Sequence, residues 1–203
     1  MEALRSRTID GYLQELASAK ATPGGGSVAA LSGAISSDLG CMVCRLTMNK
    51  KPSGDLTDLL ARFISLEHDF LELGDADELA FTAVMDAYRM ERGDENRPVK
   101  IAEALMKATS VPQRVAEKGI ELLEHLCSLA PLGSKQSVSD VGVAAHLAAA
   151  AVRSALLNVR INLAYMHDEA KIEAIKAVAE AIEKRCSDLS TQAISSVTDR
   201  ISQ

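Results

Sequence analysis

The chain has 203 residues, of which 47% are hydrophobic but only 3% aromatic, and it carries a net charge of −6 at pH 7. This length suits one domain with a sizeable core, and a core of Ala, Leu, Val, Ile and Met favours closely packed helices. The acidic balance and the lack of a basic block argue against nucleic-acid binding as the main role.

Membrane and secretion signals are weak in this sequence. Every stretch without Asp, Glu, Lys or Arg, for example 141–152, is shorter than the roughly 20 residues that span a bilayer. The N-terminus lacks the pattern of basic and then apolar residues that marks a secretory signal. We therefore expect a soluble cytoplasmic protein with no membrane partner.

The first predicted helix lies within residues 1–19, where Ile9, Leu13, Leu16 and Ala17 share one apolar face. That face is expected to pack against the core.

A glycine loop follows the first helix and consists of Pro23, Gly24, Gly25, Gly26 and Ser27. Each glycine can take a positive φ at little steric cost, and Ser27 is a good N-cap for the next helix. Bare backbone N–H groups at the positive end of a helix dipole bind anions or polarised carbonyls. The alternative is a flexible turn before a helix. The loop matches neither the Walker pattern nor the dinucleotide fingerprint, because no Gly-Lys-Ser/Thr follows it and no strand precedes it.

Residues 27–49 are predicted to form a central helix. Small residues recur on it at helical spacing and would let a neighbouring backbone come close; they are Ala30, Gly33, Ala34, Ser37 and Gly40. A glycine loop at the head of a buried helix favours a binding site over a turn. Cys41 and Cys44 lie inside this helix among apolar residues, so we interpret them as core packing rather than as a zinc or redox site.

The rest of the chain is predicted as helices separated by breaks that contain Gly or Pro. We expect helices over 55–73, from 75 or 77 to about 88, over 98–109, 112–129 and 139–166, and from 168 nearly to the end. Gly74 is expected to end one helix, and Pro112 is expected to start another. The sequence therefore predicts an all-α fold, a single-domain helical bundle with long central helices over residues 1–203.

Several polar groups stand on otherwise apolar helix faces. Asp77 is a candidate general base or counter-charge for a cation, although a helix-start acid is the common alternative. We interpret Ser139 as the N-cap of the helix predicted over 139–166, and Asp140 as an acid that the helix dipole stabilises in the first turn. Asn158 and Asn162 share a face, so they either bond to each other or to another helix, or they recognise the edge of a heteroaromatic ring.

The histidines form no pair with metal-ligand spacing, so no metal site is expected. His146 follows Asp140 on the same helix and can enter a cleft, whereas His68, His125 and His167 have the pattern of surface residues. The isolated cations, solvated by default but able to bind acidic substrate tails, are Arg45, Lys50, Lys51 and Lys107.

Taken together, six blocks of the sequence resemble the formiminotransferase-cyclodeaminase C-terminal domain family. They are Thr22-Pro23-Gly24-Gly25-Gly26-Ser27, Met42-Val43-x-x-Leu46-Thr47, Asp77-x-x-Ala80-Phe81, Lys107-Ala108-Thr109-x-Val111-Pro112, Ser139-Asp140-x-Gly142, and Asn158-Val159-x-Ile161-Asn162-Leu163 with Asp168 beyond. The blocks keep the family's order over nearly the whole chain. One departure is Gly133-Ser134, which stands where the family tends to have a Gly-Asn pair, and it leaves the substrate contacts of that loop open.

The resemblance implies an all-helical homodimer that acts on one-carbon derivatives of tetrahydrofolate, with no metal and no bound cofactor. The implied activity is 5-formiminotetrahydrofolate cyclodeaminase, which closes N10 onto the formimino carbon and releases ammonia. The alternatives are 5,10-methenyltetrahydrofolate cyclohydrolase and a non-catalytic folate-binding or assembly subunit. Formimino transfer is not expected, because the sequence lacks that half of the bifunctional form.

On this hypothesis Asp77 and Asp140 are the catalytic carboxylates, and which of the two acts as the base stays open. The residues expected to bind substrate are Pro23, Gly24, Gly25, Gly26, Ser27, Arg45, Lys50, Ser139, Asn158 and Asn162.

Overall fold

The structure, a computed structural model, describes residues 2–202, and all regular structure within that range is helical. After a 3-10 turn at Leu4–Ser6, the helices are α1 (Ile9–Leu16), α2 (Gly25–Met48), α3 (Gly54–Arg89), α4 (Arg97–Leu129), α5 (Val138–Leu163) and α6 (Glu169–Ser202). The all-α, single-domain prediction is confirmed.

Two predicted helix breaks are wrong. Gly74 lies inside α3, and Pro112 lies inside α4. Gly74 is a packing residue, because a methyl group on it would come within 2.8 Å of Leu4 Cδ2. As a result α3 is one rod of 36 residues, about 54 Å long.

The bundle is built on close contacts between α2 and its neighbours. A Cβ on Gly33 would lie 2.5 Å from the Phe70 ring, and a Cβ on Gly40 would lie 2.9 Å from the Phe63 ring. The glycines of α2 thus admit phenyl rings of α3, which runs antiparallel to it. Helices α4 and α5 complete an antiparallel four-helix bundle, and α6 packs against both.

The face predicted for the first helix is wrong. Ile9 is 82% exposed and Leu13 is 54% exposed, whereas Tyr12 is the buried residue of α1. The Tyr12 hydroxyl reaches Ser27 Oγ at 3.1 Å, so one aromatic side chain joins α1 to the start of α2.

Helices α2 and α5 each carry a second apolar stripe that faces away from the core. The exposed members form what we call the α2/α5 face: Ile35, Met42, Leu46, Val143, Leu157 and Ile161. Both helices are long and apolar enough to cross a membrane by length and composition alone. More than half of the most apolar part of each is nevertheless buried inside the bundle, as is common for core helices.

Candidate functional site

A cleft of about 490 Å³ opens where the N-terminus of α2 meets α3, α4 and α5. Its lining residues are Ala21, Thr22, Gly24, Gly25, Gly26, Asp77, Phe81, Val84, Met85, Tyr88, Leu105, Ala108, Asn158, Ile161, Asn162 and Tyr165. Six residues singled out from the sequence therefore meet in one place: Gly24, Gly25, Gly26, Asp77, Asn158 and Asn162.

The glycine loop enters the helix earlier than predicted. Helix α2 begins at Gly25, with Gly24 in the extended N-cap position, and none of the glycines has a positive φ. Ser27 is therefore not the N-cap; its side chain is buried beneath the loop, as is Pro23. The first N–H groups of a helix have no partner in their own helix, and here they border the cleft.

Asp77 holds its carboxylate directly over the backbone of Gly26. A methyl group on Gly26 would overlap all three atoms of that carboxylate, so any side chain at this position would have to displace Asp77. Burial raises the pKa of Asp77 to about 6, the nearby charge of Glu78 adds to the rise, and the backbone N–H of Ser27 opposes it. A carboxylate with this pKa can take up and return a proton near neutral pH.

An apolar wall extends from Asp77 along the same face of α3. It consists of Phe81, Val84, Met85 and Tyr88, which follow Asp77 at helical spacing. None of these residues was predicted from the sequence to belong to the site, and Phe81, Met85 and Tyr88 are 39%, 36% and 40% exposed. The signal that could have revealed them is that they share a helix face with Asp77. Such a wall suits a flat ring system.

The two asparagines line the cleft from α5. Asn158 Nδ2 donates to the Ser154 carbonyl of its own helix at 2.9 Å, and its side-chain amide lies beside Gly25. Asn162 Nδ2 donates instead across to the Ala108 carbonyl of α4 at 2.8 Å. The amides do not bond to each other, so the interhelical alternative holds for Asn162.

A buried ion pair supports the cleft from behind, and sequence reasoning missed it. Arg7 donates two hydrogen bonds of 3.0 Å to Glu78, and the side chains are only 6% and 2% exposed. Ser27 Oγ lies 3.4 Å from Glu78 Oε1, which connects the pair to the loop. The signal was a second acid directly after Asp77 with no cation nearby in sequence.

Six predicted site residues do not line this cleft within one chain: Pro23 and Ser27 lie beneath the loop, and the other four lie farther away. Asp140 and Ser139 lie in the first turn of α5, whose N-cap is Ser137 and not Ser139 as predicted. Asp140 and Asn158 are 18 positions apart, about 27 Å along the helix. Arg45 is exposed near the far end of α2. Lys50 lines a separate cleft of about 370 Å³ with Lys51, Ser134 and Arg200. Within one chain, therefore, the predicted site divides between the two ends of the bundle.

The histidines and cysteines lie outside the cleft. His125 is not a surface residue, because its ring packs edge-on against Phe63 with centroids 6.1 Å apart. His146 is exposed on α5, and Cys41 and Cys44 are buried in the core as predicted. Within residues 2–202, no three His, Cys, Asp or Glu side chains group closely enough to hold a metal ion.

Comparison with known proteins gives consistent matches. The family model of formiminotransferase-cyclodeaminase matches residues 8–181. A methenyltetrahydrofolate cyclohydrolase from Methylorubrum extorquens is 37% identical over 198 residues, which cover 89% of this chain and 94% of that protein.

Two further matches extend this picture. A formimidoyltransferase-cyclodeaminase from Mus musculus is 32% identical over 83% of this chain, but the alignment covers only 32% of the mouse protein. The crystal structure of a formiminotetrahydrofolate cyclodeaminase from Thermotoga maritima superposes with a TM-score of 0.87 at 27% identity, covering 96% of this chain and 98% of that one.

Proposed function

The chain belongs to the formiminotransferase-cyclodeaminase family, and we propose that its cleft carries out chemistry on the one-carbon bridge of a tetrahydrofolate derivative. The observation that carries this proposal is the position of Asp77. Its carboxylate lies between backbone amides and an apolar wall, where burial keeps its pKa near 6. That environment suits a positively charged carbon held between two nitrogens.

Hydrolysis of the 5,10-methenyl bridge is the reaction that we place first. The relative that bears this activity in its name matches at 37% identity over 94% of its own length. In this reaction water adds to the cationic bridge carbon, and Asp77 accepts the proton that the water loses. Asp77 then returns the proton to the departing nitrogen as its bond to the carbon breaks, and the hydroxyl group on that carbon releases its own proton to solvent, which leaves a formyl group on the other nitrogen.

The remaining cleft residues would hold the substrate. Phe81, Met85 and Tyr88 offer a surface for the pteridine ring, and exclusion of water by this wall strengthens the attraction between the cation and Asp77. The N–H groups of Gly25 and Gly26 would bind a carbonyl oxygen or the oxygen that develops on the bridge carbon.

Closure of 5-formiminotetrahydrofolate with release of ammonia is the second candidate, and sequence reasoning placed it first. It is favoured by the fold match to a cyclodeaminase that covers nearly all of both chains. Asp77 would take the proton from N10 as that nitrogen attacks the formimino carbon, and would give it to the departing ammonia. Both reactions pass through a tetrahedral carbon that is bonded to N5 and N10.

A homodimer would complete the site. The α2/α5 face is an exposed apolar surface on two neighbouring core helices, and Ile161 belongs to both this face and the cleft. A second copy packed on this face in the opposite direction would bring its own Asp140 end toward Asp77. This arrangement accounts for a sequence-predicted carboxylate that, within one chain, lies about 27 Å along α5 from the cleft residue Asn158. A cytoplasmic location and the absence of a bound cofactor or metal also remain predictions.

Parallel assays of the purified protein test the proposal. With 5,10-methenyltetrahydrofolate, hydrolysis is measured as loss of methenyl absorbance after subtraction of the non-enzymatic rate. With 5-formiminotetrahydrofolate, closure is measured as gain of the same absorbance together with release of ammonia. Turnover of 5,10-methenyltetrahydrofolate alone supports the cyclohydrolase activity, and turnover of 5-formiminotetrahydrofolate supports the cyclodeaminase activity. Binding without turnover of either would leave a folate-binding subunit.

A further inference from the structure

Pro112 lies in the middle of α4, and the helix continues on both sides of it. A proline has no backbone N–H, so the carbonyl four residues earlier loses its helical hydrogen-bond donor. That carbonyl belongs to Ala108, which lines the cleft. Without another donor, this carbonyl would be a polar group with no hydrogen-bond partner in a mostly apolar part of the cleft, which costs free energy.

Asn162 supplies the missing donor from α5. Its Nδ2 donates to Ala108 O at 2.8 Å across a sequence separation of 54 residues. The oxygen and nitrogen of an asparagine side chain belong to one planar amide, so a bond that fixes the nitrogen also fixes the direction of the oxygen. Within residues 2–202, Oδ1 of Asn162 accepts no hydrogen bond, and Asn162 lines the cleft.

Asn158 provides the contrast, because its Nδ2 donates to a carbonyl of its own helix. Only the Asn162 amide is held by a second helix, at a carbonyl that proline has released. We propose that Pro112 is a positioning residue. By removing a helical N–H, it reserves the Ala108 carbonyl for Asn162, so that Oδ1 of Asn162 is held as an acceptor for an N–H donor on the heterocycle of the substrate.

This inference rests on the proposed function only for the identity of the heterocycle; the contact itself can be tested without substrate. Asn162→Ala leaves the Ala108 carbonyl unpaired and should lower Tm by roughly 2–10 °C. In a Pro112→Ala background the new backbone N–H can satisfy that carbonyl. The same Asn162→Ala change should then lower Tm by less than half as much. Equal losses in both backgrounds would overturn the proposed pairing.

Kinetics test whether the pairing orients the substrate. We expect Asn162→Ala to raise KM about tenfold and Pro112→Ala to raise it about threefold, with kcat within about twofold of wild type, because lost binding in the ground state appears in KM. The double variant should be no worse than Asn162→Ala. A Pro112→Ala protein with normal KM, or effects that multiply in the double variant, would show that Pro112 has no positioning role.

Pro98 offers a matched control on the same helix. It lies in the first turn of α4, where an N–H has no helical acceptor, and it is exposed outside the cleft. Pro98→Ala should leave KM unchanged, and an equal rise in KM would show that loss of any proline in α4 disturbs the site. If the wild type neither turns over nor binds a folate, the proposed function and the heterocycle both fall, while the Tm cycle still decides the contact.

Discussion

The carboxylate of Asp77 occupies the space that a side chain at Gly26 would need. The two residues come from different helices, and the contact exists only because the N-terminus of α2 has no Cβ at this point. The position of Asp77, the proposed base, therefore constrains residue 26 to be a glycine.

Gly26→Ala tests this constraint. The added methyl group should push the carboxylate away from the loop and lower kcat/KM at least about tenfold, as misplacement of a proton-transfer group does. Gly54→Ala is the control, since a Cβ there meets nothing within 4 Å. The measurement is a steady-state assay of both variants. Unchanged activity in Gly26→Ala would show that catalysis does not depend on the contact between Gly26 and the Asp77 carboxylate.

The rate should depend on the ionisation of Asp77. A base must be ionised to accept a proton, so kcat/KM should rise with pH and level off above the pKa of about 6. Asp77→Asn should lose this inflection and about 10²-fold or more in rate. The pH profiles of the two proteins, corrected for spontaneous hydrolysis, are the measurement. An inflection that persists in Asp77→Asn would assign it to another group.

The free energy of unfolding should depend on Asp77 in the opposite direction, because it should fall as pH rises. Burial raises the folded-state pKa of Asp77 from 3.8 to about 6, so the folded protein binds a proton that the unfolded chain has released. This contribution to stability is fully present below pH 4 and is lost as pH rises through about 6, on the order of 2–3 kcal/mol in all. Urea unfolding between pH 4 and 8 should therefore show a smaller decline in Asp77→Asn than in wild type.

The sequence predicted the helical class and most loops, because apolar periodicity and Gly/Pro breaks are local signals. It failed at Gly74 and Pro112, where tertiary contacts overrode the local rule. Gly74 makes room for Leu4, and the hydrogen bond that Pro112 removes is replaced by Asn162. Neither partner is near in sequence, so no local pattern could have shown them.

The candidate site was predictable in part for the same reason. The glycine loop, Asp77 and the two asparagines meet in one cleft, since antiparallel packing joins the start of α2 to the end of α5. That packing also places Asp140 at the opposite end. The Arg7–Glu78 pair was hidden because its members are 71 residues apart and only folding brings them together.

Arg7 should matter for stability far more than its neighbour Arg5. Arg7→Met leaves Glu78 charged, 2% exposed and without its partner, which should cost about 3–5 kcal/mol. Arg5 also pairs with a glutamate but is 57% exposed, so Arg5→Met should cost about 0–1 kcal/mol. Urea denaturation compares the two. Similar losses would mean that the buried pair contributes no more than a surface pair.

The shared site can be tested by combining two defective chains. In a dimer whose sites each take Asp77 from one copy and Asp140 from the other, a heterodimer of Asp77→Asn and Asp140→Asn chains has one site with both carboxylates intact. Such heterodimers, co-expressed with two different tags and purified through both, should have about half the wild-type activity while each parent homodimer is nearly inactive. If both carboxylates acted within one chain, every site of the heterodimer would lack one of them, and no activity would return.

Two other results would contradict a role for Asp140 in the site. One is an Asp140→Asn homodimer that is fully active, and the other is a wild-type protein that sediments as a monomer at micromolar concentration.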